Sequence, residues 1–108
     1  MNMLNVLTVV GRLTRDPSND KITLAVPRNY KNAEGVYDTD FIDVKIWGGM
    51  AQNVTEYCKK GDIIGVKGRL ETITEDDGDG HFIKRTTIVV AEKVTFLSSR
   101  HDTEIRNA

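Results

Sequence analysis

Phe41-Ile42-Asp43-Val44-Lys45-Ile46-Trp47 alternates without a break, and the reading of the whole chain turns on it. On an extended strand, Ile42, Val44 and Ile46 point to one side and Phe41, Asp43, Lys45 and Trp47 to the other. The first set is an ordinary aliphatic core face. The second is unusual, because a solvated sheet face ordinarily carries small polar groups rather than two large rings around a lysine. Rings flanking a cation are what a stacked base and its phosphate require. The alternative is that Phe41 and Trp47 cover a second core or a subunit contact, and this strand by itself leaves both open.

Working outward, turn signals divide the 108 residues into five strand-like segments and one short helix. Leu4–Leu13 places Leu7, Val9, Gly11 and Leu13 on one face, with Gly11 marking a bend or a close backbone approach. After the turn chemistry of Asp16 to Asp20, Ile22, Leu24 and Val26 define a second strand that Pro27 ends or marks as an edge. Residues 28–38 read as a polar loop or hairpin tip bearing Tyr30 and Tyr37. Beyond Gly48-Gly49, the stripe Met50, Val54, Tyr57 and Cys58 predicts a helix of two to three turns, with Lys59 and Lys60 at its negative end and Gly61 as its cap. A fourth strand from Ile63 to about Thr74 turns Ile64, Val66, Gly68 and Leu70 inward. The repeated Asp-Gly of the 75–80 loop predicts a hairpin. Phe82–Leu97 forms the last strand, broken near Ala91-Glu92, and residues 99–108 are expected to be a flexible tail after a single domain spanning 1–98.

Three strands, a helix and two strands is the order of the OB-fold, an all-β five-stranded Greek-key barrel whose helix lies between strands three and four. In that fold the second and third strands are where oligonucleotides lie. The outward positions then collect Lys21, Arg28, Tyr30 and Lys31 from the second strand and its loop, Phe41, Lys45 and Trp47 from the third, and Lys67 and Arg69 from the fourth. Interleaved rings and cations are the chemistry of sequence-tolerant binding to single strands.

Composition excludes several other readings. A formal net charge of −1 gives the molecule no overall pull on a polyanion or an anionic membrane, so affinity for nucleic acid has to be local. No apolar run approaches a membrane span, and a cytoplasmic protein is expected. The single Cys58 rules out an internal disulfide or a multi-thiolate zinc site, and reads as a small buried hydrophobe. His81 and His101 have no partner at ligand spacing. Asp77, Asp79 and His81 alternate as in a calcium loop, but the twelfth position from Asp77 is Ile88 where a bidentate glutamate is needed. No nucleophile–base pair, phosphate-cradling glycine loop or metal constellation is present. Neither an enzyme, a cofactor nor a small-molecule substrate is therefore expected.

The ordered motifs resemble those of the bacterial and phage single-stranded DNA-binding protein family. They are Leu4-Asn5, Val9-Val10-Gly11-Arg12-Leu13-Thr14-Arg15-Asp16-Pro17, Ile22-Thr23-Leu24-Ala25-Val26, Asp40 through Gly48, Ala51-Gln52-Asn53-Val54 with Tyr57, Lys59-Lys60-Gly61 and Val66-Lys67-Gly68-Arg69-Leu70. The resemblance implies a homotetramer that coats single-stranded DNA in replication, recombination and repair, with stacking rings at Tyr30, Phe41 and Trp47. A fourth ring would fall near Glu75, where this chain has none, which implies a smaller or weaker footprint. The first connection is shorter than is usual in the family. The chain also stops at Arg106-Asn107-Ala108, where replicative members continue into an acidic, partner-recruiting tip; a phage-encoded or accessory form is expected. Two other classes fit the same barrel: a protein-interaction module that buries Phe41 and Trp47, and a single-stranded RNA binder.

Overall fold

The computed structural model describes residues 3–76, 78–80 and 83–98. The remaining residues include Asp77, His81, Phe82, His101 and the 99–108 segment, so the expectations for a calcium loop and a tail fall outside the described residues. Five strands, β1 (Leu7–Leu13), β2 (Lys21–Lys31), β3 (Tyr37–Lys45), β4 (Ile63–Asp76) and β5 (Ile83–Ser98), close into a barrel in the order β1-β2-β3-β5-β4. All neighbours are antiparallel except β3 and β5, which meet in parallel at Val44–Val89 and Lys45–Val90. The helix α1 (Gly48–Tyr57) lies between β3 and β4 in sequence. This is the OB-fold.

The core is the inward face that alternation predicts. Leu13, Ile22, Leu24, Val44, Ile46, Ile64 and Val66 are buried in it, and α1 closes one end by adding Ala51 and Val54, with Cys58 just beyond. Two glycines let strands approach where a side chain could not. A Cβ on Gly11 would lie 2.9 Å from the Ala25 carbonyl oxygen, and one on Gly68 would lie 2.2 Å from that of Val90. Both remain glycine because the obstacle is neighbouring backbone.

Several boundaries differ from the sequence reading, each for a physical reason. β1 starts at Leu7, because at Asn5 the side-chain carboxamide rather than the backbone meets β4, donating to the Leu70 carbonyl and accepting from the Leu70 N–H. Pro27 does not end β2: the strand runs on to Lys31 because β3 pairs along it, and the pairing shifts between Pro27 and Lys31. At Pro27 β1 has already left β2, so the missing N–H faces an unpaired edge. The expected loop is a twisted hairpin with only residues 32–36 at its tip. There the Asn32 carboxamide oxygen accepts from the N–H groups of Glu34 and Val36. Ile46 and Trp47 leave the ladder, but Trp47 stays extended as the residue before α1. Lys59 and Lys60 fall beyond the helix, which ends when the Cys58 N–H donates to the Val54 carbonyl. Gly61 takes positive φ, as expected, but uses its N–H on the Leu13 carbonyl and so ties the chain to β1. Leu70 keeps the inward side yet is 47% exposed, because β4 and β5 project past the barrel as a two-stranded arm.

Candidate nucleic-acid interface

Pairing register, which the sequence does not state, decides which side chains become neighbours. Lys21 stands opposite Lys45, Lys45 beside Val90, and Val90 opposite Arg69. One row thus crosses β2, β3, β5 and β4 on the outer face, about 14 Å long at the usual strand spacing. Three of its four members are cations. Two residues along β4 on the same face lies Lys67, opposite Lys93. Lys93 is a cation that sequence reading passed over. The pairing of Lys67 with Lys93 and of Gly68 with Ala91 leaves Glu92 as an extra residue, and this bulge resets the alternation at the expected break in β5.

The rings flank this row along β3. Phe41 is 69% and Trp47 58% exposed in the protomer, on the same strand side as Lys45. They lie about 20 Å apart, six residues at strand rise. Farther along the same face, the Lys31 ammonium sits 5.7 Å from the centre of the Tyr37 ring. Tyr37 thereby joins the ring-bearing side.

Arg28 and Tyr30 sit differently. Arg28 grips the Asp40 carboxylate with two donors, Nη2 to Oδ1 at 2.8 Å and Nε to Oδ2 at 3.1 Å, and faces Asp38 at 3.9 Å. Asp38 and Asp40 share the strand side of Ile42, so Arg28 is on the reverse of the hairpin from Phe41. The hydrogen bond and then the charge of Asp40 stabilise the guanidinium further, while Arg28 holds the Asp40 carboxyl below the ordinary carboxylate range. Tyr30 is 58% exposed and close enough to Arg28 to act on it electrostatically.

Two cations of the row are also matched by carboxylates. Lys21 Nζ lies 3.5 Å from Asp43 Oδ2, and Arg69 Nε lies 3.9 Å from Glu71 Oε2. Asp43 Oδ1 accepts from the Thr23 hydroxyl at 2.8 Å, which ties the outer faces of β2 and β3 together. Lys45 and Lys67 have no ion-pair partner among the described residues. On the far side of the barrel, burial pushes the Cys58 thiol up to about 11, with Asp62 adding to the effect. That thiol stays protonated at neutral pH and has no part in the exposed face.

An exposed ring–cation face on this barrel places the chain among known proteins, and residues 4–97 match the single-strand binding protein family. The chain belongs to that family. It is 39% identical over 109 residues to the single-stranded DNA-binding protein 1 of Clostridium acetobutylicum, covering 92% of this chain and 98% of that protein. With the single-stranded DNA-binding protein of Halalkalibacterium halodurans it shares 41% over 107 residues, 91% of this chain but 63% of the longer relative. Among solved structures, a Plasmodium falciparum SSB in complex with ssDNA superposes with a TM-score of 0.75 over 91% of this chain and 98% of that one. At 17% identity this likeness speaks to the fold alone. Among the described residues no helix is long and apolar enough to cross a membrane, and no cluster of three or more metal-ligating side chains occurs.

Proposed function

We propose that this family member binds single-stranded DNA with little dependence on sequence, coating and protecting strands opened in replication, recombination and repair in the cytoplasm. The observation that carries the reading is the outer face of β3, where the exposed rings of Phe41 and Trp47 bracket Lys45 within the Lys21–Lys45–Arg69 row. Each base stacked on a ring contributes on the order of 1 to 3 kcal/mol, and cations add a salt-dependent phosphate term. Two or three such stacks outweigh the unfavourable net charge of −1. The chemistry is non-covalent throughout, and the protein acts by occupying bases and phosphates.

The protomer works as a homo-oligomer, with the tetramer as the expected form. Val6, Val10 and Leu97 are exposed apolar side chains, and Val10 and Leu97 both border Gly65 on the outer side of β1 and β4. Phe41 lies on β3 and Trp47 just beyond it, and β2 and β5 separate β3 from β1 and β4, so assembly through this surface leaves the rings open.

Titration with oligo-dT, followed by Trp47 fluorescence, is expected to give quenching that weakens with salt. Trp47→Ala, followed by a second probe such as anisotropy of labelled DNA, should weaken binding by about 1 to 3 kcal/mol. Its sedimentation should be unchanged. A wild-type protein that assembles but leaves oligo-dT unbound, with Trp47→Ala disrupting assembly instead, would replace this function with a protein-interaction role.

A further inference from the structure

An open cleft of about 400 Å³ lies where the outer face of β3 meets the β4–β5 arm. Its size falls within the range of sites that hold small molecules. One wall carries Asp20, Lys21, Asp43, Val44 and Lys45; the other carries Ile73, Ile88 and Glu75. Ile73 is 42% exposed on the projecting arm, where no core explains a branched aliphatic side chain.

The polar groups of the cleft are not equally available. Asp43 is engaged by the Thr23 hydroxyl on one oxygen and by Lys21 on the other. Asp20, at the edge of the cleft, accepts from the Ser18 hydroxyl at 3.1 Å, whereas Lys45 and Glu75 have no hydrogen-bond or ion-pair partner among the described residues, so the least engaged donor and acceptor face each other across an aliphatic patch. A flat ring with apolar faces and a polar rim, attached to an anion, fits that arrangement. The cleft also interrupts the ring-bearing face: it opens at Asp43 and Lys45, between Phe41 and Trp47 on one strand side. A strand stacked on both rings has to cross it.

We infer that this cleft is a nucleobase subsite in which Ile73 and Ile88 receive the face of the base, Lys45 holds the adjoining phosphate, and Glu75 selects an exocyclic amine. The inference rests on the single-stranded DNA-binding reading. A carboxylate only accepts hydrogen bonds. Cytosine offers the N4 amine to it, whereas thymine presents the O4 acceptor at the same ring position. The subsite therefore superimposes a modest preference for cytosine over thymine on otherwise tolerant binding.

The test is titration of the full chain with oligo-dC and oligo-dT of equal length, comparing the wild type with Glu75→Gln and Ile73→Ala. Intrinsic differences between the two homopolymers cancel in the variant-to-wild-type comparison, as does the uniform gain from removing one negative charge. Glutamine supplies an N–H for O4, so Glu75→Gln should shift the dC:dT affinity ratio toward dT by roughly three- to tenfold, the worth of one hydrogen bond. Ile73→Ala should weaken both oligomers alike, by roughly three- to tenfold, with no change in salt dependence. Both positions are exposed, and melting curves check that the variants fold. An unchanged ratio in Glu75→Gln, or undiminished binding in Ile73→Ala, overturns the subsite while leaving DNA binding intact. Failure of the wild type to bind either oligomer removes the single-strand reading and the subsite together.

Discussion

Gly68→Ala is a test of the architecture that positions the interface. The methyl group would be built 2.2 Å from the Val90 carbonyl oxygen, 3.0 Å from its carbonyl carbon and 3.3 Å from Ala91 Cα. All three atoms are β5 backbone, beside the bulge at Glu92, and no rotamer change can move them aside. Overpacking typically costs 1 to 3 kcal/mol, and a backbone obstacle puts this case at the upper end, about 3 kcal/mol. For a domain of this size that lowers the melting temperature by roughly 12 to 24 °C. Gly65 on the same strand supplies the control. Its Cβ would meet only Leu97 and Val10 side chains, at 3.5 and 3.7 Å, which is ordinary contact. Gly65→Ala should be neutral or stabilising by about 0.4 to 1 kcal/mol through the unfolded chain. Thermal melts of the two variants and the wild type in one buffer decide the matter. Equal melting temperatures for Gly65→Ala and Gly68→Ala would show that the close approach of β4 to β5 is not what requires glycine.

Two further outcomes follow from the site. Arg28→Ala should leave the salt dependence of DNA binding unchanged, because Arg28 grips Asp40 on the reverse of the hairpin, whereas Lys45→Ala should reduce the slope of log K against log salt by about 0.7, one phosphate's worth, in equilibrium titrations. Cys58 has its thiol raised from 9.0 to about 11 by burial, so between those values the unfolded chain has released a proton that the folded chain retains; stability should fall as pH rises through that window. Urea midpoints from neutral pH to about pH 10 should show that fall, and Cys58→Ser should lack the thiol's share of it while binding DNA nearly as the wild type does.

How much was legible beforehand follows from what is local. Alternation assigned Val44 to the core and Phe41 and Trp47 to the outside, because a strand's faces are fixed by its own backbone. Of the stripe Met50, Val54, Tyr57 and Cys58, Val54 and Cys58 are buried and Met50 packs against the core, but Tyr57 is exposed and Cys58 falls just past the end of the helix. Pro27 and the polar residues after it masked the length of β2, since what continues that strand is β3 pairing alongside. The partnership of Arg28 with Asp40 and the row Lys21–Lys45–Val90–Arg69 depend on register between segments far apart in the chain. No pattern within one segment encodes them. The Ile73–Ile88 cleft was hidden for a related reason: read alone, Ile73 is only an outward aliphatic residue, and it gains meaning once the arm lies beside Lys45.

The charge arrangement bears on which force holds the DNA. Of the six cations singled out in the sequence, Lys21, Arg28 and Arg69 already face carboxylates, leaving Lys31, Lys45 and Lys67 to meet phosphates without displacing an ion-pair partner. Three phosphates neutralised on a single strand correspond to a slope of about −2 for each protomer, against about −4 if all six took part. Salt resistance would then come from the rings, whose stacking has little dependence on ionic strength. Carboxylates set against half of the cations also explain how a protein of net charge −1 keeps a binding face without a strong field toward other polyanions. Equilibrium binding to short oligo-dT across a range of salt measures the slope directly. A value near −4 would mean that DNA dislodges Asp43, Asp40 and Glu71 from their partners, and that electrostatics contributes far more of the affinity than this geometry assigns to it.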